Sequence, residues 1–372
     1  MKYVLFIIGF CLVTACGQLS KPSSPEGETS GAVRYAKGFT VRQGEGYIAV
    51  EVADPWDSTK VLQRYVLARR DKPLPARLPG GTVIRTPIRR LAIYASVHAA
   101  MVEELGETES ITGVCEPMYM PSAAIKEGVA KGTIADLGAA TSPNVEEMME
   151  RGIECIIATP FQNAGYGTAG KVGIPIIEGA DYMEPTPLGR AEWICFFGLL
   201  FNKEEKADSI FRGTEQRYLA LKELAGKATS RPEVLSERKY GSSWYVPGND
   251  SYIAHFFRDA GATNIFGDIG GAGSVPLAFE AVLDRAAHAP FWLLKYNLPY
   301  EMTCQDLQNE YFPYGEFDAF KNRNIFTCNT GNTLYYEESP IHPDYLLQDF
   351  LHIFHPGLLP GYTPRYYKKV EN

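Results

Sequence analysis

The run Gly165-Tyr166-Gly167-Thr168-Ala169-Gly170 has the spacing of a dinucleotide-binding loop, whose glycines let the backbone close on a pyrophosphate ahead of a helix. Only residues 171–174 separate it from the next β-like run at Pro175, which leaves no room for that helix, so it reads as a flexible loop beside a cleft. Gly271-Ala272-Gly273 fails sooner, because Pro276 stands where the third glycine should be. There is no GxSxG elbow, HExxH pair or phosphate-cradling GxxxxGK[ST] loop, so the chain is expected to bind rather than catalyse. A bare-metal carrier needs three or four His and carboxylate ligands converging. Of the six histidines, His342, His352 and His355 fall together in the C-terminal helical region, away from the expected cleft, and no metal site is expected. His98 keeps three roles open: helix cap, hydrogen-bond partner of a ligand, or ligand to an iron or cobalt centre.

Cysteine chemistry divides in two. The seven cysteines show no CxxC pair and no zinc spacing. Cys115, Cys155, Cys195, Cys304 and Cys328 read mainly as buried thiols, with a Cys304–Cys328 disulfide left open. Cys16 is different. One lysine precedes an apolar run over residues 3–13, too short for a permanent span and right for a signal-peptide core. The run ends Leu12-Val13-Thr14-Ala15-Cys16, which resembles a bacterial lipobox. Residues 1–16 are expected to be a lipoprotein signal peptide with Cys16 lipidated, and 17–32, rich in Ser, Pro, Gly and Glu, a disordered tether. The expected location is the cell envelope, periplasm-facing and lipid-anchored to the membrane, with no cofactor. A net charge of −8 and a pI near 5.4 argue against nucleic acid, whose phosphates demand a basic surface.

The elements that must position a site follow from alternation. At 372 residues the chain is comfortable for two domains. Residues 38–42 and 47–52 read as a β-hairpin decorating the first lobe. Leu91-Ala92-Ile93-Tyr94-Ala95 is a strand ending at Ser96-Val97-His98, and a helix runs from there to Leu105. Ile111-Thr112-Gly113-Val114, Cys155-Ile156-Ile157-Ala158-Thr159 and Pro175-Ile176-Ile177-Glu178 are further strands, with a helix over 144–152 and another opening at Pro187 behind Thr186. Strands alternating with helices predict parallel α/β sheets. Later strands are expected near 242–244, 291–295 and 325–328, with helices over 252–260, 279–287 and 342–354.

Between the halves lies a proline-free stretch over 202–225. Asn202 and Glu205 have capping-box spacing, Gly226 supplies a stop, and Ala207, Ile210, Phe211, Tyr218, Leu221 and Ala225 recur at helical spacing. The stretch is either a spine between two α/β halves or an ordinary amphipathic surface helix.

Taken in order, several segments resemble the class III substrate-binding proteins of ABC importers, which capture ferric siderophores, haem or vitamin B12. They are residues 91–105 with 111–114; Ser142-Pro143-Asn144-Val145-Glu146 ahead of Ile156-Ile157; Glu184-Pro185-Thr186-Pro187-Leu188-Gly189-Arg190-Ala191-Glu192-Trp193; Asn264-Ile265-Phe266 after Ala260-Gly261-Ala262; Glu280-Ala281-Val282-Leu283; and His342-Pro343-Asp344 with His355-Pro356. They span residues 83–357. The resemblance implies an α/β fold of two Rossmann-like lobes, 33–201 with its β extension and 227–372, bridged by one long helix over 202–226. It also implies a metal-organic ligand containing iron or cobalt, a monomer, and delivery to an ABC permease with its ATPase. Docking would use one exposed carboxylate per lobe, Glu146 and Glu280, whose bland alternative is simple complementation of a helix dipole.

Ligand-facing residues are expected where strands end. These are Ser96 and His98, Tyr119, Phe161 and Tyr166 in the first lobe, and Trp244, Tyr245, Tyr335 and Tyr336 in the second. Aromatic faces suit a flat or macrocyclic guest. Arg85, Arg89 and Arg90 flank the first strand at its wrong end, which leans the ligand toward cobalamin-like or haem-like molecules and away from highly charged siderophores. The rival reading is an envelope sensory or adhesive domain of the same fold without a transporter.

Overall fold

A computed structural model describes residues 33–371, so the leader, Cys16 and the tether expected over 17–32 lie outside the described residues. The chain enters as a strap over residues 34–38, fastened by two buried glutamates. Glu192 accepts the backbone amides of Arg34, Tyr35 and Ala36 at 2.8, 2.7 and 2.7 Å. Glu184 takes those of Lys37 and Gly38 at 2.9 and 2.7 Å. Both Arg34 and the Tyr35 hydroxyl then reach Glu215.

Strands β1 (Phe39–Gly44), β2 (Tyr47–Ala53), β3 (Val61–Arg69) and β4 (Thr82–Thr86) form one sheet in that order, antiparallel up to β3 and parallel between β3 and β4. The expected hairpin is half of this sheet. Period-2 alternation turns Val50, Val52, Tyr65, Leu67 and Ile84 inward, onto Trp193 and Phe196 of the first lobe.

The first lobe is a parallel sheet of β5 (Leu91–Ile93), β6 (Ile111–Val114), β7 (Ala135–Asp136), β8 (Cys155–Ala158) and β9 (Ile176–Glu178), in the order β7-β6-β5-β8-β9. Strand order reverses between β5 and β8, so the crevice opens beyond their C-terminal ends.

In the second lobe the strands are β10 (Glu233–Ser236), β11 (Lys239–Tyr240), β12 (Ser243–Pro247), β13 (Thr263–Asn264), β14 (Ser274–Leu277), β15 (Phe291–Tyr296), β16 (Ile325–Asn329) and β17 (Lys368–Lys369). Its main sheet runs β13-β10-β15-β16-β17, parallel except for β17, with the reversal between β10 and β15. A small antiparallel sheet, β11-β12-β14, stands beside it.

The helix Glu204–Ala225 joins the lobes over about 33 Å. Ala207 and Phe211 pack in the first lobe's core, and Tyr218 packs with Val234, Phe256 and Phe350 in the second. Its ends differ from expectation. Asn202 is left-handed, φ 55°, and closes the preceding helix Trp193–Phe201, while the Lys203 amide returns to the Gly198 carbonyl at 2.8 Å. Asparagine tolerates that conformation better than most residues, so it serves one helix's end and cannot cap the next. The spine starts at Glu204 without a side-chain cap, and Gly226 ends it in a right-handed conformation.

Cys304 and Cys328 are both free, which corrects the open disulfide. Burial raises the Cys328 thiol to about 11, and its sulfur sits 3.5 Å from the Thr333 hydroxyl.

Candidate ligand site between the lobes

The ends of β10 and β15 put Glu237 and Lys295 on the second lobe's wall of the cleft. Tyr245 comes from β12, Tyr252 from the helix Tyr252–Asp259, and Tyr335 and Tyr336 from the helix Tyr335–Glu338. The first lobe contributes Arg190, on a helix that starts at Pro187 because Thr186 caps the Gly189 amide. These residues surround a hollow of about 300 Å³. A larger hollow of about 770 Å³ adjoins it, sharing Glu237, Tyr245, Ser274 and Lys295 and adding Arg238, Tyr240 and Tyr311.

Two ion pairs set the electrostatics. Arg190 Nε donates to Asp181 Oδ2 at 2.9 Å, and its guanidinium lies 5.4 Å from the centre of the Tyr252 ring. Burial pushes the Asp181 carboxyl up, but Arg190 and His98 outweigh it and hold the carboxyl below its usual value. Lys295 pairs with Glu237 and lies 5.9 Å from the Tyr335 ring centre. Burial alone would lower the Lys295 ammonium, yet Glu237 raises it further than burial lowers it. Tyr252 is pushed up to about 12 by burial. Both cations therefore stay charged at the floor of an aromatic cleft.

The first lobe's wall carries Tyr166, whose hydroxyl donates to Glu178; burial raises Glu178 despite that bond. Tyr65 of the β3 strand braces the same point, accepting from the Glu178 amide at 2.8 Å and donating to the Ile176 carbonyl at 3.0 Å. The Gly165–Gly170 loop holds no α-helix, only the three-residue turn Ala169–Lys171.

Of the residues expected to face a ligand, Tyr245, Tyr335 and Tyr336 are gathered at one hollow. Tyr119 and Phe161 stand exposed on loops of the first lobe. Ser96 instead bridges the lobes, donating to Glu337 at 2.6 Å. Two expectations are corrected. Trp244 is fully buried among Trp292, Tyr314 and Phe317, its indole N–H donating to the Ser236 carbonyl at 2.9 Å; β12 alternation sends it inward and Tyr245 outward. His98 is fully buried, its Nε2 2.9 Å from Asp181, because it lies inside the first turns of a helix packed against Phe197. His342 is also nearer the lobe interface than expected, 3.5 Å from Glu104 and 3.1 Å from Thr214 of the spine.

Arg190, Glu237, Tyr252 and Lys295 were not singled out from sequence. Lys295 ends an expected strand and Arg190 sits inside a quoted motif, so strand-end position was the available signal for the first. Nothing in sequence places Arg190 against the other lobe.

Glu146 and Glu280 are exposed in the first turns of the helices Val145–Glu150 and Phe279–Ala286, and among the described residues neither is ion-paired. Glu147 is committed to Arg151 at 2.8 Å, and the Asn144 side chain takes its amide. Among the described residues no three His, Cys, Asp or Glu side chains converge to hold a metal, and no helix is long and apolar enough to cross a membrane.

The family described as periplasmic binding protein matches residues 91–330. The uncharacterized lipoprotein MJ0878 of Methanocaldococcus jannaschii is 27% identical over 328 residues, 83% of this chain and 77% of that protein. A periplasmic heme binding protein of Pseudomonas aeruginosa superposes with a TM-score of 0.58 at 14% identity, covering 76% of this chain and 98% of that one. A possible iron-binding periplasmic solute-binding protein of Staphylococcus epidermidis gives 0.57 at 18%, covering 73% and 100%. With two wound lobes, one spine helix and a cleft at the strand ends, this chain belongs to the periplasmic binding protein family, in its class III fold.

Proposed function

We propose that the chain is a lipid-anchored, monomeric substrate-binding protein of an ABC importer, tethered through Cys16 and exposed to the periplasm. It captures a metal-organic complex, a cobalamin-like corrinoid, haem or ferric siderophore, and passes it to the permease and its ATPase. The iron or cobalt belongs to the guest. The observation that carries this reading is the pair of adjoining hollows walled by Tyr240, Tyr245, Tyr311, Tyr335 and Tyr336 at the strand ends of a lobe joined to its partner by one helix. Such walls bury the faces of a flat guest at low entropic cost. A single spine and direct contacts between the lobes favour small movements on binding. Glu146 and Glu280, which have no ion-pair partner among the described residues, then suit docking on arginines of a permease, where rim charges set orientation and encounter rate.

The test is calorimetric titration of tag-free protein with cyanocobalamin, haemin and a ferric siderophore, with an absorption spectrum of whatever co-purifies from the native envelope. Tight binding of one class is expected. Flat heats across the panel would remove the ligand reading.

A further inference from the structure

Arg190 is the cation that meets both lobes. Its Nε is held by Asp181, which is 1% exposed and lies behind it in the first lobe, while its guanidinium carbon lies 5.4 Å from the centre of the Tyr252 ring of the second. Among the described residues no second carboxylate takes its terminal nitrogens, and it lines the 300 Å³ hollow. Lys295 lines the same hollow with one ion pair, to Glu237, and an ammonium carries three donors. Among the lining residues Arg190 and Lys295 face the single carboxylate of Glu237; with Asp181 behind Arg190 the four charges balance, so what the wall offers an anion is its remaining N–H donors.

Volume decides what enters. About 300 Å³ is at the bottom of the range for a small-molecule pocket and too small for a tetrapyrrole ring, whereas the adjoining 770 Å³ lies well inside that range. The ring therefore belongs in the outer hollow and a side arm in the inner one. An arm meeting an open guanidinium edge and a lysine under tyrosine faces is best matched by a carboxylate or phosphate, which accepts two parallel N–H bonds from such an edge.

We propose that the inner hollow is an anion subsite, in which Arg190 and Lys295 take a carboxylate or phosphate arm of the ligand. The subsite rests on the metal-organic reading above for its natural ligand, but not for its own test. Because Arg190 is anchored in one lobe and lies against Tyr252 of the other, a seated arm ties both lobes to the guest at once. That gives a ring with one or two anionic arms an advantage over its neutral counterpart, and explains how a cleft without an arginine cluster selects among macrocycles.

The experiment has two arms. In the first, pyrophosphate is added to the full chain and compared with sodium chloride at equal ionic strength, reading Tm. The wild type is expected to rise in a concentration-dependent way. Arg190→Lys, which keeps the charge beside Asp181 but loses the fork, and the double variant Glu237→Gln with Lys295→Gln, which removes a pair without stranding a charge, are expected to lose the rise while keeping a native circular dichroism spectrum. In the second arm, ligands are compared as twins: haemin against its dimethyl ester for a carboxylate source, and cyanocobalamin against dicyanocobinamide for a phosphate source. The member of one pair that carries the anionic arm is expected to bind the wild type about 10- to 100-fold more tightly than the twin without it, a gap that collapses in both variants. No rise with pyrophosphate, a rise unchanged in the variants, or twins that bind alike overturns the subsite. A pyrophosphate rise lost in the variants, with no binding by any macrocycle, supports the subsite and removes the metal-organic reading instead.

Discussion

Ser96 Oγ, on the first lobe, donates a 2.6 Å hydrogen bond to Glu337 Oε1, on the second. With the Glu104–His342 pair at 3.5 Å it closes one flank of the cleft directly, side chain to side chain, so the lobes are held by more than their shared helix. A groove of about 510 Å³ runs along this flank, between Ala99, Ala100 and Met120 on one side and Leu334 and Ile341 on the other.

Glu337 makes that contact sensitive to pH. Burial raises its carboxyl above the ordinary value of 4.5, and the Ser96 bond only partly opposes the shift. The folded state thus holds this proton more tightly than the unfolded chain. Its contribution to stability is full below about pH 4.5 and is lost as pH climbs through the raised value. Glu337→Gln still accepts from Ser96 and never charges, so it should gain up to about 1 kcal/mol at pH 7 and nothing at pH 4. Urea titrations at the two pH values check this; equal effects at both would contradict it.

Trp244 and Tyr245 should separate stability from binding. Trp244→Ala opens a cavity among Trp292, Tyr314 and Phe317 and should cost about 3–5 kcal/mol in denaturant unfolding. Tyr245→Ala, at a side chain 44% exposed, should shift stability by no more than about 0.5 kcal/mol while weakening ligand binding. A fully stable Trp244→Ala protein would show that the indole is not a core element.

Glu192→Gln tests the strap. Its two carboxylate oxygens share three amides, one on Oε1 and two on Oε2, so glutamine keeps one weaker acceptor and turns its NH2 toward a backbone donor. A loss of about 2 kcal/mol is expected, with faster hydrogen exchange at residues 34–36 and unchanged exchange in β15. Uniformly faster exchange would mean that Glu192 supports the whole lobe and not the strap.

Glu146→Ala combined with Glu280→Ala should lower permease-dependent uptake in cells and leave ligand affinity in solution as it was. Weaker ligand binding in the double variant would put those carboxylates at the cleft, not at a docking rim.

The sequence carried much of this architecture, because β5, β6, β8, β15 and β16 are dense apolar runs bounded by turns. It was silent where runs are short: β10 has only Val234, Leu235 and Ser236 buried, and β4 follows a loop broken by Pro73, Pro75 and Pro79. Strand parity was the finer failure. Trp244 and Tyr245 are adjacent, and a strand sends neighbours to opposite faces, so only one of the two can reach the cleft. Asn202 misled for a different reason, since the same side chain suits the end of one helix and the start of another, and only the backbone of Lys203 decides between them. Arg190 was invisible as a site residue because its partners, Asp181 and Tyr252, lie on opposite lobes.

The five amides that Glu184 and Glu192 collect have a mechanical side. A load applied at residue 34 is shared between the first lobe, through those five bonds, and the middle of the connecting helix, through the Arg34–Glu215 fork.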